Sequence, residues 1–215
     1  KSIESSVIEK IDVFNPNLRW PVSNELASFL SSKKILSIYR RAKYIIIKCS
    51  NAYLVIHLGM TGKLVFAKPS ETLKKHDHIQ ITFTNNDQVI RYNDPRRFGS
   101  AHLVKDKLDD FKLLANLGLE PLAAEFDGNY LFIKARKRNV PIKTFIMNHL
   151  IVVGVGNIYA SEALFLSGIR PSVPACKVTR KKMEILVKNI KHVLLIAIEK
   201  GGSTISDFMN TKGEQ

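Results

Sequence analysis

From Ile35 to about Lys105 the apolar positions fall in short β-branched and aromatic runs: Tyr44 to Lys48, Tyr53 to His57, Lys63 to Ala67, Ile79 to Thr84 and Val89 to Tyr92. That spacing predicts an antiparallel sandwich or barrel. Thr84-Asn85-Asn86-Asp87 separates two of the runs with residues that tolerate left-handed turns, so those two form a hairpin. Pro69 and Ser70 mark a longer loop. Beyond residue 105 the apolar period changes from two to about 3.6 residues. Leu108, Phe111, Leu114 and Ala115 line one face of a predicted helix that Gly118 would cap. Ile158, Ala160, Ala163, Leu164 and Phe165 predict a second helix closed by Gly168, and Pro171 forbids its continuation. The longest stripe runs Met183, Leu186, Val187, Ile190, Val193, Leu194, Ala197 and Ile198, and Gly201-Gly202 ends it. Strands first and helices afterwards, with no internal repeat, predict an α+β chain of two segregated parts rather than alternating βαβ units.

Composition narrows the partner. The chain has 215 residues, 45% of them hydrophobic, enough for one large core or two small ones. Lys and Arg number 33 against 19 Asp and Glu, a formal charge of +14 with a pI near 9.8, which favours a polyanion such as nucleic acid. An anionic membrane surface is the rival, but no apolar run approaches the roughly 20 residues a spanning helix needs, and the first residues given do not read as a basic segment followed by an apolar signal core. A cytoplasmic protein is expected. Cys49 and Cys176 lie far apart without a Cys-x-x-Cys partner, so two reduced thiols are expected and neither a disulfide framework nor a zinc site.

Several stretches carry candidate chemistry, each with a plainer reading beside it. Lys134, Arg136, Lys137, Arg138 and Lys143 form the densest basic cluster, suited to duplex phosphates and equally to a solvated helix face. Gly154-Val155-Gly156-Asn157 precedes a predicted helix, with Asn157 as its N-cap. Its amides suit an anion, although two glycines in a turn more often serve chain geometry. In Asp94-Pro95-Arg96-Arg97-Phe98-Gly99 two guanidinium groups and a ring meet at a strand end, suited to phosphate or base contacts and to wedging in place of an extruded nucleotide. The plainer reading pairs Asp94 with an arginine and buries Phe98. His57, His76 and His78 invite a metal, but Lys75-His76-Asp77-His78 better fits a loop entering a strand, with His76 as a phosphate donor. Lys43, before the run Tyr44 to Ile47, suits phosphate contact or proton transfer, or is an ordinary solvated lysine.

Read in order, Leu18-Arg19-Trp20-Pro21-Val22, Arg40-Arg41-Ala42-Lys43-Tyr44, His57-Leu58-Gly59-Met60-Thr61-Gly62, Lys75-His76-Asp77-His78, Asp94-Pro95-Arg96-Arg97-Phe98-Gly99, Leu117-Gly118-Leu119-Glu120-Pro121-Leu122 and Val152 to Glu162 resemble the bacterial formamidopyrimidine-DNA glycosylase family over nearly the whole chain. The resemblance implies an N-terminal antiparallel β-sandwich, residues 1–116, followed by an all-helical helix-two-turn-helix domain, residues 117–215. It implies a monomeric, nucleoid-associated enzyme of base-excision repair. Its partner is duplex DNA holding oxidised purines (8-oxoguanine, formamidopyrimidines) or abasic sites, and strand cleavage follows by β,δ-elimination. Met60, Arg96 and Phe98 would fill the gap left by the flipped base. His76, Arg96, Arg138, Asn139 and Asn157 would hold the DNA backbone, Lys43 would transfer a proton in strand cleavage, and the loop after Gly201-Gly202 would approach the flipped base.

The family's nucleophile is an N-terminal proline followed by glutamate. An α-amine, with a pKa of about 8 against about 10.4 for lysine, is more often neutral at physiological pH. This sequence opens Lys1-Ser2-Ile3-Glu4 and stops at Gln215, before the family's four-cysteine zinc finger. No cofactor is therefore expected in this chain, one zinc is expected in a full-length member, and the chain as written is expected to be inactive, either as a fragment or as a truncated product. A related enzyme acting on oxidised pyrimidines fits less well, since it usually lacks the Leu-Gly-Met-Thr-Gly and Asp-Pro-Arg-Arg-Phe-Gly stretches.

Overall fold

A computed structural model describes residues 3–84, 86–105 and 107–200. Contacts divide them between Ala115 and Asn116 into two compact units. The first holds strands β1 (Val7–Val13), β2 (Ile35–Arg41), β3 (Tyr44–Cys49), β4 (Ala52–His57), β5 (Lys63–Ala67), β6 (Asp77–Thr84), β7 (Val89–Asn93) and β8 (Ser100–Val104), with the short helix α1 (Glu25–Leu30) between β1 and β2. They form two antiparallel four-stranded sheets, ordered β1-β6-β7-β5 and β2-β3-β4-β8. The expected sandwich is therefore present, as is the β6–β7 hairpin, although Asn85 of its turn lies outside the described residues.

Alternation explains which side chains face inward. Ile47 and Cys49 of β3, Leu54 and Ile56 of β4, Ile79, Ile81 and Phe83 of β6, and Ile90 and Tyr92 of β7 meet in one buried cluster. Residues two apart share a face, so these positions bury together while their neighbours point away. Leu26 and Leu30 of α1 close one end of this core with no exposed surface.

The helical unit holds α2 (Gly128–Ala135), α3 (Ile142–Ile146), α4 (Asn157–Leu166) and α5 (Arg180–Glu199). The α5 helix starts where Thr179 accepts the Lys182 amide. It buries Met183, Leu186, Val187, Ile190, Val193 and Leu194, much of the stripe read from the sequence. Ile198, counted in that stripe, is 63% exposed, and the predicted end at Gly201-Gly202 lies outside the described residues. Asp127 caps α2 by accepting the Tyr130 amide at 2.6 Å.

The predicted helix at Leu108 to Ala115 is not formed. A single 3₁₀ turn, Leu108–Asp110, is followed by extended Phe111 and then by turns, and Lys107 provides no side-chain cap. Phe111 instead stacks on His102 of β8, ring centroids 5.4 Å apart, so packing on the sheet replaces the helical stripe. Nor does Gly118 cap a helix. Its amide donates to the His149 carbonyl, and a Cβ there would run into the backbone of Ile151. Phe165, read as part of an apolar face, is 85% exposed.

Candidate nucleic-acid interface

Two loops of the sandwich meet backbone to backbone. Gly59, at φ +62°, sits where a Cβ would lie 2.6 Å from the Phe98 carbonyl carbon, and a Cβ on Gly99 would strike the His57 carbonyl. Only glycine allows that approach and that conformation. The loop after β4, His57 to Gly62, and the loop between β7 and β8, Asp94 to Gly99, are thus held as one piece.

Asp94 ties them chemically. It is fully buried, and its carboxylate accepts hydrogen bonds from the Thr61 hydroxyl at 2.6 Å, the Gly99 amide at 2.9 Å and the Tyr92 hydroxyl at 3.2 Å. Burial alone would raise its pKa, but these bonds and one from the Arg96 backbone outweigh it and hold the carboxyl below its ordinary value. Burial and the same carboxylate push the Tyr92 phenol well above the usual range. Asp94 therefore serves uncharged hydroxyl and main-chain donors, not the arginine guanidinium of the plainer reading. The Arg97 amide closes a turn onto the Asp94 carbonyl with Pro95 at its second position, the place a proline prefers.

What this frame presents is basic and apolar together. Met60 is 70% and Phe98 45% exposed, so Phe98 is not a core residue, and the Arg96 guanidinium lies 4.5 Å over its ring. Both side chains line a cavity of about 870 Å³ with Arg19, Lys43, His57, Arg96 and Arg97. Lys43 stands at the β2–β3 hairpin turn beside Ala42, which adopts a left-handed φ of +53° and accepts the Arg40 guanidinium at 2.8 Å.

Arg19 has no site role in the sequence reading, and His57 enters it only as a metal ligand set aside there. Arg19 stacks on Trp20 at 4.6 Å and its amide donates to the Gly99 carbonyl. His57 accepts the Gly59 amide at Nδ1, 3.0 Å, which leaves Nε2 to carry the proton of the neutral ring. Burial first, then the positive charges of Lys43 and Arg19, keep its pKa below the ordinary value. Nothing in the periodicity marks either residue, because each acquires its place through the folding of separate strands around one cavity.

His76 lies outside that cavity, half-buried at the end of the loop between β5 and β6, its carbonyl accepting the Asp94 amide at 3.1 Å. His78 turns inward and bonds the Asp94 carbonyl at 2.8 Å. Arg138, Asn139 and Asn157 belong to the helical unit, all exposed. Arg138 lines a separate cavity of about 470 Å³ with Thr144, Asn148 and His149. Gly156, not Asn157, is the N-cap of α4. Its extended backbone follows Gly154 at φ +79°, and Asn157 begins the helix, its carbonyl accepting the Ser161 hydroxyl. A glycine cap has no side chain to satisfy the first-turn amides, the arrangement expected where an anion is to do so.

The described residues do not fit a zinc site. No group of three or more His, Cys, Asp or Glu side chains gathers among them. Cys49 is buried, its thiol pushed up to about 11 by burial, and Cys176 is exposed in the other unit. No helix among the described residues is long and apolar enough to cross a membrane.

Comparison with known proteins agrees with this chemistry. Residues 1–101 match the formamidopyrimidine-DNA glycosylase N-terminal domain, and residues 117–209 match the formamidopyrimidine-DNA glycosylase H2TH domain. The chain is 48% identical over 211 residues to the formamidopyrimidine-DNA glycosylase of Pasteurella multocida, covering 98% of this chain and 77% of that protein. Identity to the Haemophilus influenzae (strain 86-028NP) enzyme is 47% with the same coverage. A solved structure of the Lactococcus lactis enzyme bound to DNA containing an AP site superposes with a TM-score of 0.86 at 31% identity, over 94% of this chain and 77% of that one. Another, of the same enzyme with FAPY-dG DNA, gives 0.86 at 32% identity, over 95% and 77%. A β-sandwich with a basic, apolar-tipped rim, joined in sequence to a helical unit of this kind, defines a DNA-binding protein of base-excision repair. The chain belongs to the formamidopyrimidine-DNA glycosylase family.

Proposed function

We propose that this chain recognises oxidised purines, 8-oxoguanine and formamidopyrimidines, in duplex DNA for their excision, with coupled cleavage of the strand at the resulting abasic site by β,δ-elimination. One observation carries the reading: Met60 and Phe98 stand exposed on hydrogen-bonded loops, inside a cavity that Arg19, Lys43, Arg96 and Arg97 make cationic. Apolar groups fixed in so basic a setting suit a ligand that is anionic outside and aromatic within. A duplex with one base extruded has that make-up.

In this reading Met60, Arg96 and Phe98 fill the vacated space in the base stack. Arg96 and His76, with Arg138, Asn139 and Asn157 of the helical unit, bind backbone phosphates. The ammonium of Lys43 supplies a proton during strand cleavage. Residues 1–116 and 117–215 act as two DNA-binding domains of a monomer working on the nucleoid in the cytoplasm.

The test uses the product of the native gene and a duplex holding 8-oxoguanine opposite cytosine. Nicking at the lesion and a borohydride-trapped covalent adduct are expected. Salt-sensitive binding with neither product is what a catalytically inert DNA-binding member of the family would give, and would refute the excision reading.

A further inference from the structure

We propose that Arg91 is a positioning residue for DNA binding, acting through the loop between β5 and β6 that ends in His76. This inference rests on the reading of His76 as a phosphate-binding residue. Arg91 lies on β7, 3% exposed, and touches no part of the cavity. Its Nε donates to the Gln80 side-chain oxygen at 2.9 Å. Nη1 and Nη2 donate to the main-chain carbonyls of Thr72 and Glu71 at 3.1 and 2.6 Å. The Asp77 carboxylate stands 3.8 Å from Nη1. That carboxylate is itself engaged, accepting the Lys74 amide at 2.9 Å and the Asn93 side-chain amide at 2.8 Å.

Three of these bonds, to Glu71, Thr72 and Lys74, converge on one stretch. Residues 68–76 have no helix or strand, yet the carbonyls of Glu71, Thr72, Lys74 and His76 and the amide of Lys74 are each held by β6 or by the segment from β7 to Asp94. A buried guanidinium is costly unless its donors are matched, and a sheet position opposite Val65 and Gln80 does not require one. The planar fork is what can hold two successive carbonyls while bonding a third group along Nε; a lysine has one point of attachment. The loop it fixes carries Lys74 and Lys75, both exposed, and His76. Ordering His76 before DNA arrives lowers the entropy lost on binding. The His76 carbonyl also accepts the Asp94 amide, so the same network joins this loop to the frame that carries Arg96 and Phe98.

The test is a double-mutant cycle on the 215-residue chain, reading affinity for a duplex with an abasic analogue across a range of salt. Arg91→Lys is expected to weaken binding about tenfold, whereas on a His76→Ala background the same change should cost no more than about twofold. Ile47→Val, a core substitution on the other sheet, provides the stability control: its melting temperature falls while its affinity holds. Amide hydrogen exchange gives a readout without DNA. In Arg91→Lys the Lys74 amide should exchange faster while β2 and β3 keep their protection. Should Arg91→Lys not fold, Gln80→Met, which removes only the acceptor of Nε, carries the same pattern in smaller measure. Wild-type affinity in folded Arg91→Lys, or a penalty that adds in full to that of His76→Ala, overturns the inference while leaving the DNA-binding reading intact. A wild-type chain that leaves the duplex unbound at low salt overturns both.

Discussion

The hydroxyl of Thr61 donates to Asp94 at 2.6 Å and accepts the Arg96 amide at 3.3 Å, so one side chain stitches the Met60 loop to the Arg96–Phe98 loop. Removing it should loosen both. Thr61→Val is expected to lower unfolding free energy by about 1–3 kcal/mol, the cost of leaving a buried carboxylate oxygen short of a donor. Urea denaturation measures this, and a loss below about 0.5 kcal/mol would show that the link is dispensable.

Asp94 should also shape the acid limb of stability. Its folded pKa lies below the ordinary 3.8, so the ionised form favours folding. That contribution is present above the unfolded value and fades as pH falls through the folded one. Asp94→Asn should therefore be most destabilising at neutral pH, with the gap to the parent narrowing below about pH 4. A gap that stays constant from pH 7 to pH 3 would mean that the bonds to Thr61, Gly99 and Tyr92 do not favour the charged form.

His57 offers a direct probe of the cavity's electrostatics. Burial is the larger cause of its lowered pKa, and the Lys43 charge adds to it. Lys43→Met should move the imidazole pKa upward, part of the way back toward 6.5, as followed by NMR of the ring protons. The neutral ring is the form the fold prefers, so acidification from 6.5 toward the folded pKa should weaken the parent chain, and less so this variant. An unmoved His57 titration would place the Lys43 charge too far away to matter.

Ala42 holds Lys43 in place at the expense of a left-handed backbone, φ +53° without being glycine. Ala42→Gly should stay within about 1 kcal/mol of the parent, whereas the β-branched Ala42→Val should cost about 2 kcal/mol or more. Comparable losses for the two in chemical denaturation would contradict a strained turn.

The parts of the fold legible in the sequence are those whose burial keeps a regular period. Ile79 to Thr84 reads directly as a strand because Ile79, Ile81 and Phe83 are buried while Gln80, Thr82 and Thr84 between and after them are more open. The first strand was hidden by a bulge: the register of β1 shifts between Ile8 and Lys10, so its buried Ile8 and Ile11 stand three apart and the alternation is lost. Leu108 to Ala115 misleads in the opposite sense, since apolar residues at helical spacing are also accommodated by a short 3₁₀ turn and further turns, with Phe111 against His102. The candidate site shows the same division. Arg96 and Phe98 stand out in the sequence as charge and ring together at a strand end, and Met60 only through the family resemblance, but Asp94, Thr61 and Arg91 act through contacts between distant segments. No local pattern encodes such contacts.

The most direct test of the account is the affinity of the 215-residue chain for an abasic duplex against the same duplex intact, with and without Phe98→Ala. Phe98 is 45% exposed, so its truncation should leave the melting temperature nearly unchanged. The parent is predicted to prefer the abasic duplex by about tenfold or more, and Phe98→Ala to lose most of that preference, in line with the roughly 1–3 kcal/mol that stacking an aromatic side chain on a base contributes. Equal affinity of the parent for both duplexes, or a preference untouched by Phe98→Ala, would contradict a rim built to read a gap in the base stack.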